Sequence, residues 1–431
     1  MDEAAIPHAI ELLVGLLGLA AFVAIIARPL RLPYTVALVV AGLMVGFVAS
    51  SAGYPGIDVS PDLVLLALLP GLVFDAAYRL HLVELRRWFG GLALLAVPGV
   101  LVSAAIVALV LNVATGLRPD LAFIVGAMVS ATDPAAVVAT FKRLTVPPAL
   151  STMVDGESLL NDGTGLVLFS IALGVVYAPI TPAEAVVTFA GTVALSIAIG
   201  VVAGLAAARL IRLVDDHLIE LTITVVLAYG SYMLADELHL SGVIATVTAA
   251  VMLGNLGRGR IGPVANGDAV DTVWEFIAYL LTAVVFLLVG LAIPPTRMLD
   301  SIGPIVWAIA AILIGRALVI YLLLGGASRA WIRPGFGEPL PSGWLHVLFW
   351  SGLRGAVAVA MALSLPADIP QRELLQEITF GVVLFTLLVQ GTTIGWVVDR
   401  AIGRRSSAPA GDPGTAGDSG TAGDPGTAGV S

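Results

Sequence analysis

Five charged residues sit well inside stretches that are otherwise apolar: Asp133, Glu157, Asp162, Arg316 and Arg354. Charge at such depth is costly to hold and marks ion or proton pathways. Three carboxylates against two guanidiniums leave a formal charge of −1, which one cation or one proton neutralises. A site that must be neutral before it crosses a membrane, and that takes either species but not both, is an exchanger. Oxygen atoms from Asp162, Ser158, Asp133 and a main-chain carbonyl at Thr132 make a ligand set suited to a hard monovalent cation. Asp162 is the carboxylate expected to bind cation and proton in turn. Glu157 is expected to pair with Arg316, because an ion pair is the usual way to keep charge at that depth.

The elements that position these residues are membrane helices. Of the 431 residues, 58% are hydrophobic and only 12% charged, against about 25% charged in soluble domains, and the mean hydropathy is +1.01. Apolar runs of about 20 residues cross ~30 Å of hydrocarbon as a helix. Thirteen such runs are read here, over 8–27, 33–50, 61–78, 91–115, 120–141, 149–178, 182–208, 218–236, 240–256, 270–293, 302–325, 343–366 and 374–399. The fold class expected is an all-α polytopic membrane protein.

Basic residues set the orientation. Sixteen of the 21 lysines and arginines fall in loops on one side, and Arg118, Arg297 and Arg372 on the other, which makes the first side cytoplasmic. An odd number of spans then puts the N-terminus outside and the C-terminus inside, in the cell membrane. The acidic start, Met1-Asp2-Glu3, lacks the basic region of a signal peptide, so the first apolar run is read as a span. The absence of cysteine excludes disulfides and thiolate chemistry. No nucleotide-binding loop and no soluble regulatory domain is read, so transport is expected to run on a gradient, without a cofactor. The chain divides into a transmembrane domain, 1–405, and a tail, 406–431, whose repeats of the type Gly411-Asp412-Pro413-Gly414-Thr415-Ala416 have no core-forming residues and are expected to be disordered.

Two helices are interrupted at matching places. The fifth run carries Ser130-Ala131-Thr132-Asp133-Pro134, where Pro134 removes a backbone donor; the twelfth carries Ser351-Gly352-Leu353-Arg354-Gly355. With the seventh run as a linker, spans 1–6 and 8–13 form two repeats, each broken in its fifth member at mid-membrane, the pattern of inverted-repeat transporters. Broken helices expose half-helix ends that need counter-charge. Asp133 is read as neutralising N-terminal ends and Arg354 as neutralising C-terminal ends. The sixth run, Asp155-Gly156-Glu157-Ser158-Leu159-Leu160-Asn161-Asp162-Gly163, puts Ser158 and Asp162 on one face towards the broken fifth helix.

At these residues the chain resembles the sodium/proton exchangers of the monovalent cation:proton antiporter family, the branch of NhaP-like proteins and sodium/hydrogen exchangers. The likeness runs over nearly all of 8–402 and is carried by Thr132-Asp133-Pro134, Glu157-Ser158-Leu159-Leu160-Asn161-Asp162 and Gly352-Leu353-Arg354-Gly355-Ala356-Val357, with a weaker match in Leu69-Pro70-Gly71-Leu72-Val73-Phe74-Asp75. The resemblance implies thirteen spans, a homodimer in the lipid bilayer, and a core (spans 4–6 and 11–13) moving against a dimerisation domain (spans 1–3 and 7–10). It implies Na+ coordination at Asp133, Ser158, Asp162 and the Thr132 carbonyl, support from Asn161, Arg316 as partner of the sixth-span acid and Arg354 as counter-charge at the crossing. Asn161-Asp162 is the pair of the family's electroneutral members, in line with one-for-one exchange.

Na+, and with it Li+, is the expected cargo against H+. A K+/H+ exchanger of the same architecture is the nearest alternative, since oxygen ligands alone do not fix cavity size. A cation channel would use the same buried acids without counter-transport, and an aspartate-based intramembrane protease would leave the buried arginines without a role. Nucleic acid is not expected as a partner. Asp75 and Glu275 either line a cytoplasmic mouth or are solvated helix ends; the five histidines show no metal-ligand spacing, and His346 is weighed as a pH sensor.

Overall fold

The computed structural model describes residues 5–30, 32–52, 59–144, 146–214, 216–256, 267–293, 298–330 and 340–402. The tail from Ser406 lies outside the described residues, as do Met1 to Glu3 and several of the loop arginines, among them Arg31, Arg258, Arg260, Arg297, Arg333, Arg404 and Arg405.

Among the described residues all regular structure is helical. The elements are α1 Ala5–Leu30, α2 Tyr34–Ser51, α3 Leu63–Tyr78, α4 Leu82–Thr115, α5 Pro119–Met128, α6 Ala135–Phe141, α7 Pro148–Tyr177, α8 Pro182–Ile211, α9 His217–Glu237, α10 Gly242–Leu256, α11 Gly267–Ala292, α12 Ile302–Arg329, α13 Ser342–Trp350, α14 Ala356–Leu363 and α15 Arg372–Ile402. Taken together, α5 with α6 and α13 with α14 are two interrupted crossings, which leaves thirteen crossings among the described residues. Eight described helices are individually long and apolar enough to span a membrane.

The boundaries follow from local chemistry. Gly116 ends α4 with φ 72°, a left-handed turn that a β-carbon disfavours. Prolines open α5, α7 and α8, where a missing N–H costs nothing. Thr181 and Glu184 close a reciprocal capping box on α8, and the Asp216 carboxylate accepts the Leu218 N–H at 2.8 Å at the start of α9. One boundary differs from the sequence reading by more than four residues: α4 begins at Leu82, nine residues before 91. Its first turns carry Glu84, Arg86 and Arg87, so hydropathy assigns them to a loop, although they continue the helix beyond the apolar layer.

Helices α4 and α12, the fourth members of the two repeats, pack antiparallel. A β-carbon at Gly91 would touch Leu324, at Gly99 Val319 and at Gly315 Ser103, so residue numbers fall along one helix as they rise along the other. Each carries a wide π-helical turn, Leu95–Gly99 in α4 and Leu318–Leu324 in α12. Inversion of one repeat relative to the other accounts for both the direction and the matched turns.

Candidate functional site

The two breaks meet. The chain between α5 and α6 passes the chain between α13 and α14, and the Asp133 N–H donates to the Leu353 carbonyl at 2.8 Å. Four half-helix ends therefore converge. The N-termini of α6 and α14 point at one carboxylate: Asp133 Oδ1 accepts the Ala135 N–H at 3.0 Å and Oδ2 the Ala356 N–H at 3.3 Å. The C-terminal ends receive the guanidiniums. Arg354 Nε donates to the Val129 carbonyl at the end of α5 at 2.6 Å, and its Nη1 donates to Gly352 O beyond the end of α13. Arg316 Nη2 donates to Leu348 O in the last turn of α13 at 2.6 Å.

Glycine at the second break is a matter of room. A β-carbon on Gly355 would run into the Asp133 carboxylate, and one on Gly352 would lie 2.8 Å from Arg316 Nε and 3.0 Å from Arg354 Nη1.

Glu157, on α7, takes both arms of Arg316, with Nη2 3.0 Å from Oε2 and Nη1 on Oε1. Asn161 Nδ2 lies 3.4 Å from Glu157 Oε1, and Asn161 Oδ1 is buried and unpartnered among the described residues. Ser158 donates its hydroxyl to Thr132 O in the first break. Asp162 stands at the middle of the 30-residue α7. It is 9% exposed, and no hydrogen bond or cation reaches it among the described residues; the charge that acts on it is that of Asp133.

The structure thus brings Asp133, Thr132, Ser158 and Asp162 to one place, and Glu157, Asn161, Arg316 and Arg354 to the place beside it. Four residues given no site role in the sequence reading complete the surroundings. Thr386, in a π-helical turn of α15, accepts the Arg354 N–H at 3.0 Å. Thr164 of α7 donates to Ala96 O at 2.7 Å, a carbonyl in the wide turn of α4. Asp155 lies on the Asp162 face of α7 and accepts from Ser151 at 3.3 Å. Lys142, counted before only as a loop charge, ends α6. Wide turns leave carbonyls free of the helical ladder, which is how Thr164 finds its partner at Ala96; sequence carries little sign of such turns.

The residues outside the site are placed as follows. Asp75 pairs with Arg79 one turn on, at 2.9 Å. The Glu275 carboxylate is 3.7 Å from the Lys142 ammonium, both exposed. His346 Nδ1 is 2.7 Å from the Tyr321 hydroxyl.

The two sides of the site differ in exposure. Ala135, Val138, Ala139 and Lys142 on α6, and Ser151 and Asp155 on α7, are partly or fully exposed, a strip that runs from the Lys142 end of the molecule to Asp133. Beyond the site, α14 from Ala356 to Ala362 and most of α5 are buried.

A family profile described as sodium/hydrogen exchanger, transmembrane, matches residues 17–400. The Na+/H+ antiporter ApNhaP of Aphanothece halophytica is 38% identical over 378 residues, 86% of this chain and 70% of its own. NhaH of Halobacillus aidingensis, also named as a Na+/H+ antiporter, is 34% identical over 89% of this chain and 96% of its own. The solved structure of the sodium proton antiporter MjNhaP1 from Methanocaldococcus jannaschii superposes with a TM-score of 0.73 at 21% identity, covering 92% of this chain and 99% of that one. At that identity the likeness is one of fold.

Proposed function

Since the chain belongs to the sodium/hydrogen exchanger family, we propose that it works as a Na+/H+ antiporter in which the Asp162 carboxylate binds Na+ and H+ in turn. The observation that carries the reading is the isolation of Asp162. Glu157 is matched by Arg316 and Asp133 by two helix N-termini, whereas Asp162 has no partner among the described residues. An unmatched buried carboxylate takes up a proton or a cation, because bare charge is costly there. Na+ is held by Asp162, Asp133, Ser158 Oγ and Thr132 O, with the Ser158 to Thr132 hydrogen bond exchanged for ion contacts. Li+ fits the same oxygen set.

One charge per cycle makes the exchange electroneutral. A unit of pH, about 1.4 kcal/mol, then supports roughly a tenfold Na+ gradient, and membrane potential adds nothing. The core of spans 4–6 and 11–13, which holds all the site residues, moves against spans 1–3 and 7–10, through which two copies dimerise. The exposed strip on α6 and α7 faces the cytoplasm, with the N-terminus outside, in keeping with the basic loops. One-sided access and a site that travels neutral are what alternating access requires.

The test is reconstitution in liposomes with an imposed pH gradient, adding Na+, Li+ or K+ with the potential clamped at two values. Na+-driven proton movement indifferent to potential is the expected result. A response to K+ alone moves the assignment to K+/H+ exchange; dependence on potential, worth ~2.3 kcal/mol per charge per 100 mV, breaks the one-charge argument; uncoupled cation flux makes the protein a channel.

A further inference from the structure

The exchange reading leaves one acid of α7 unused. Positions 151, 155, 158, 162 and 165 share a helical face. Ser158 of that face bonds Thr132 O, and a β-carbon on Gly165 would lie 3.3 Å from the Ala131 side chain. The same face towards the start of α7 therefore runs along α6, and there it carries Asp155. The side chain is partly exposed on the strip that leads to the site. Its hydrogen-bond partner is the Ser151 hydroxyl at 3.3 Å, and among the described residues no cation is in bonding contact with it.

Lys142 stands just past the last residue of α6, within electrostatic reach of Asp155. Its field reaches both Asp155 and Asp75, while its ammonium stands 3.7 Å from Glu275 on α11. A cation arriving past Lys142 and Glu275 meets Asp155 first. Asp162 lies seven residues further on, about 10 Å along the helix. A carboxylate on the wall of a narrow, low-dielectric passage concentrates cations and speeds their capture. An ammonium beside it does the reverse.

We propose that Asp155 is the receiving carboxylate of the access path, taking Na+ from cytoplasmic water and passing it to Asp162, and that Lys142 competes with the incoming ion. The proposal rests on the exchange reading and extends it to the path. Neither residue holds the ion during translocation, so their effect is on capture from one face.

The experiment measures initial exchange at sub-saturating Na+, offered to one face at a time in everted and right-side-out membrane vesicles. Asp155→Asn is expected to slow capture from the cytoplasmic face about fivefold or more, with Asp155→Glu restoring it and the deficit shrinking as choline chloride raises the ionic strength. Uptake from the outer face should be unchanged. Lys142→Gln should move cytoplasmic capture the other way, and it tests the idea even if Asp155→Asn folds poorly. Equal loss at both faces, no loss at the cytoplasmic face, or slower capture in Lys142→Gln overturns the proposal and leaves exchange standing. Absence of Na+-driven proton movement in the unaltered protein instead overturns the exchange reading and the inference with it.

Discussion

Arg316 spans the Glu157 carboxylate with both terminal nitrogens, Nη2 at 3.0 Å, in a place where Glu157 is 2% exposed and Arg316 5%. Water cannot replace either partner. Removing one charge of a buried pair costs about 3–5 kcal/mol, whereas replacing both by apolar groups of similar volume is often neutral. Glu157→Gln and Arg316→Met should therefore each lower the thermal stability of the purified protein markedly, and Glu157→Leu with Arg316→Met should recover much of it. Unchanged melting temperatures in the single variants, together with lost transport, would give Glu157 a direct role in the ion site.

Asp162 is the opposite case. No bond is broken when its charge is removed, since none reaches it among the described residues. Asp162→Asn is expected to keep or raise thermal stability while abolishing Na+-driven proton movement in liposomes. Retained proton-coupled exchange in that variant would reject Asp162 as the alternating carboxylate.

The fold was legible because membrane helices are written in composition and length. All thirteen crossings coincide with apolar runs, and both breaks fall where Pro134 and the pair Gly352 and Gly355 interrupt them. The start of α4 was not legible, because Glu84, Arg86 and Arg87 carry the helix out of the apolar layer, where hydropathy has no hold. Within the site, residue types alone pointed to Asp133, Asp162 and the arginines, since ionisable groups are so rare at that depth. Which carbonyl each guanidinium takes was hidden: Arg354 reaches Val129 O across 225 residues of sequence. Thr164 and Thr386 were hidden for another reason, as hydroxyls are common in membrane helices and no residue pattern announces the wide turns that hold Ala96 and Thr386 itself. Asp155 stood in plain view, but without the path of α6 beside it nothing distinguished it from a solvated helix start.

Gly355 is fixed by the approach of Asp133, whose carboxylate occupies the place a β-carbon would take. Gly355→Ala must push the carboxylate off the Ala356 N–H or displace α14, at about 1–3 kcal/mol for overpacking a well-filled site. A lower melting temperature and weaker apparent Na+ affinity are expected together. Wild-type values for both would mean that the break has slack the structure does not indicate.

Thr386 supplies the Arg354 backbone N–H with its acceptor at 3.0 Å while donating to Val383 O at 3.0 Å, and both the threonine and the arginine are buried. Valine has the same shape without the oxygen, so Thr386→Val leaves that N–H unsatisfied at about 1–3 kcal/mol. Serine keeps the hydroxyl and loses only a methyl group. The expected order of thermal stability is therefore Thr386, then Ser, then Val, with proton-coupled Na+ exchange falling in the same order as Arg354 loses its anchor beneath the crossing. A valine variant as stable as the serine variant would show that the hydroxyl does not hold Arg354 in place.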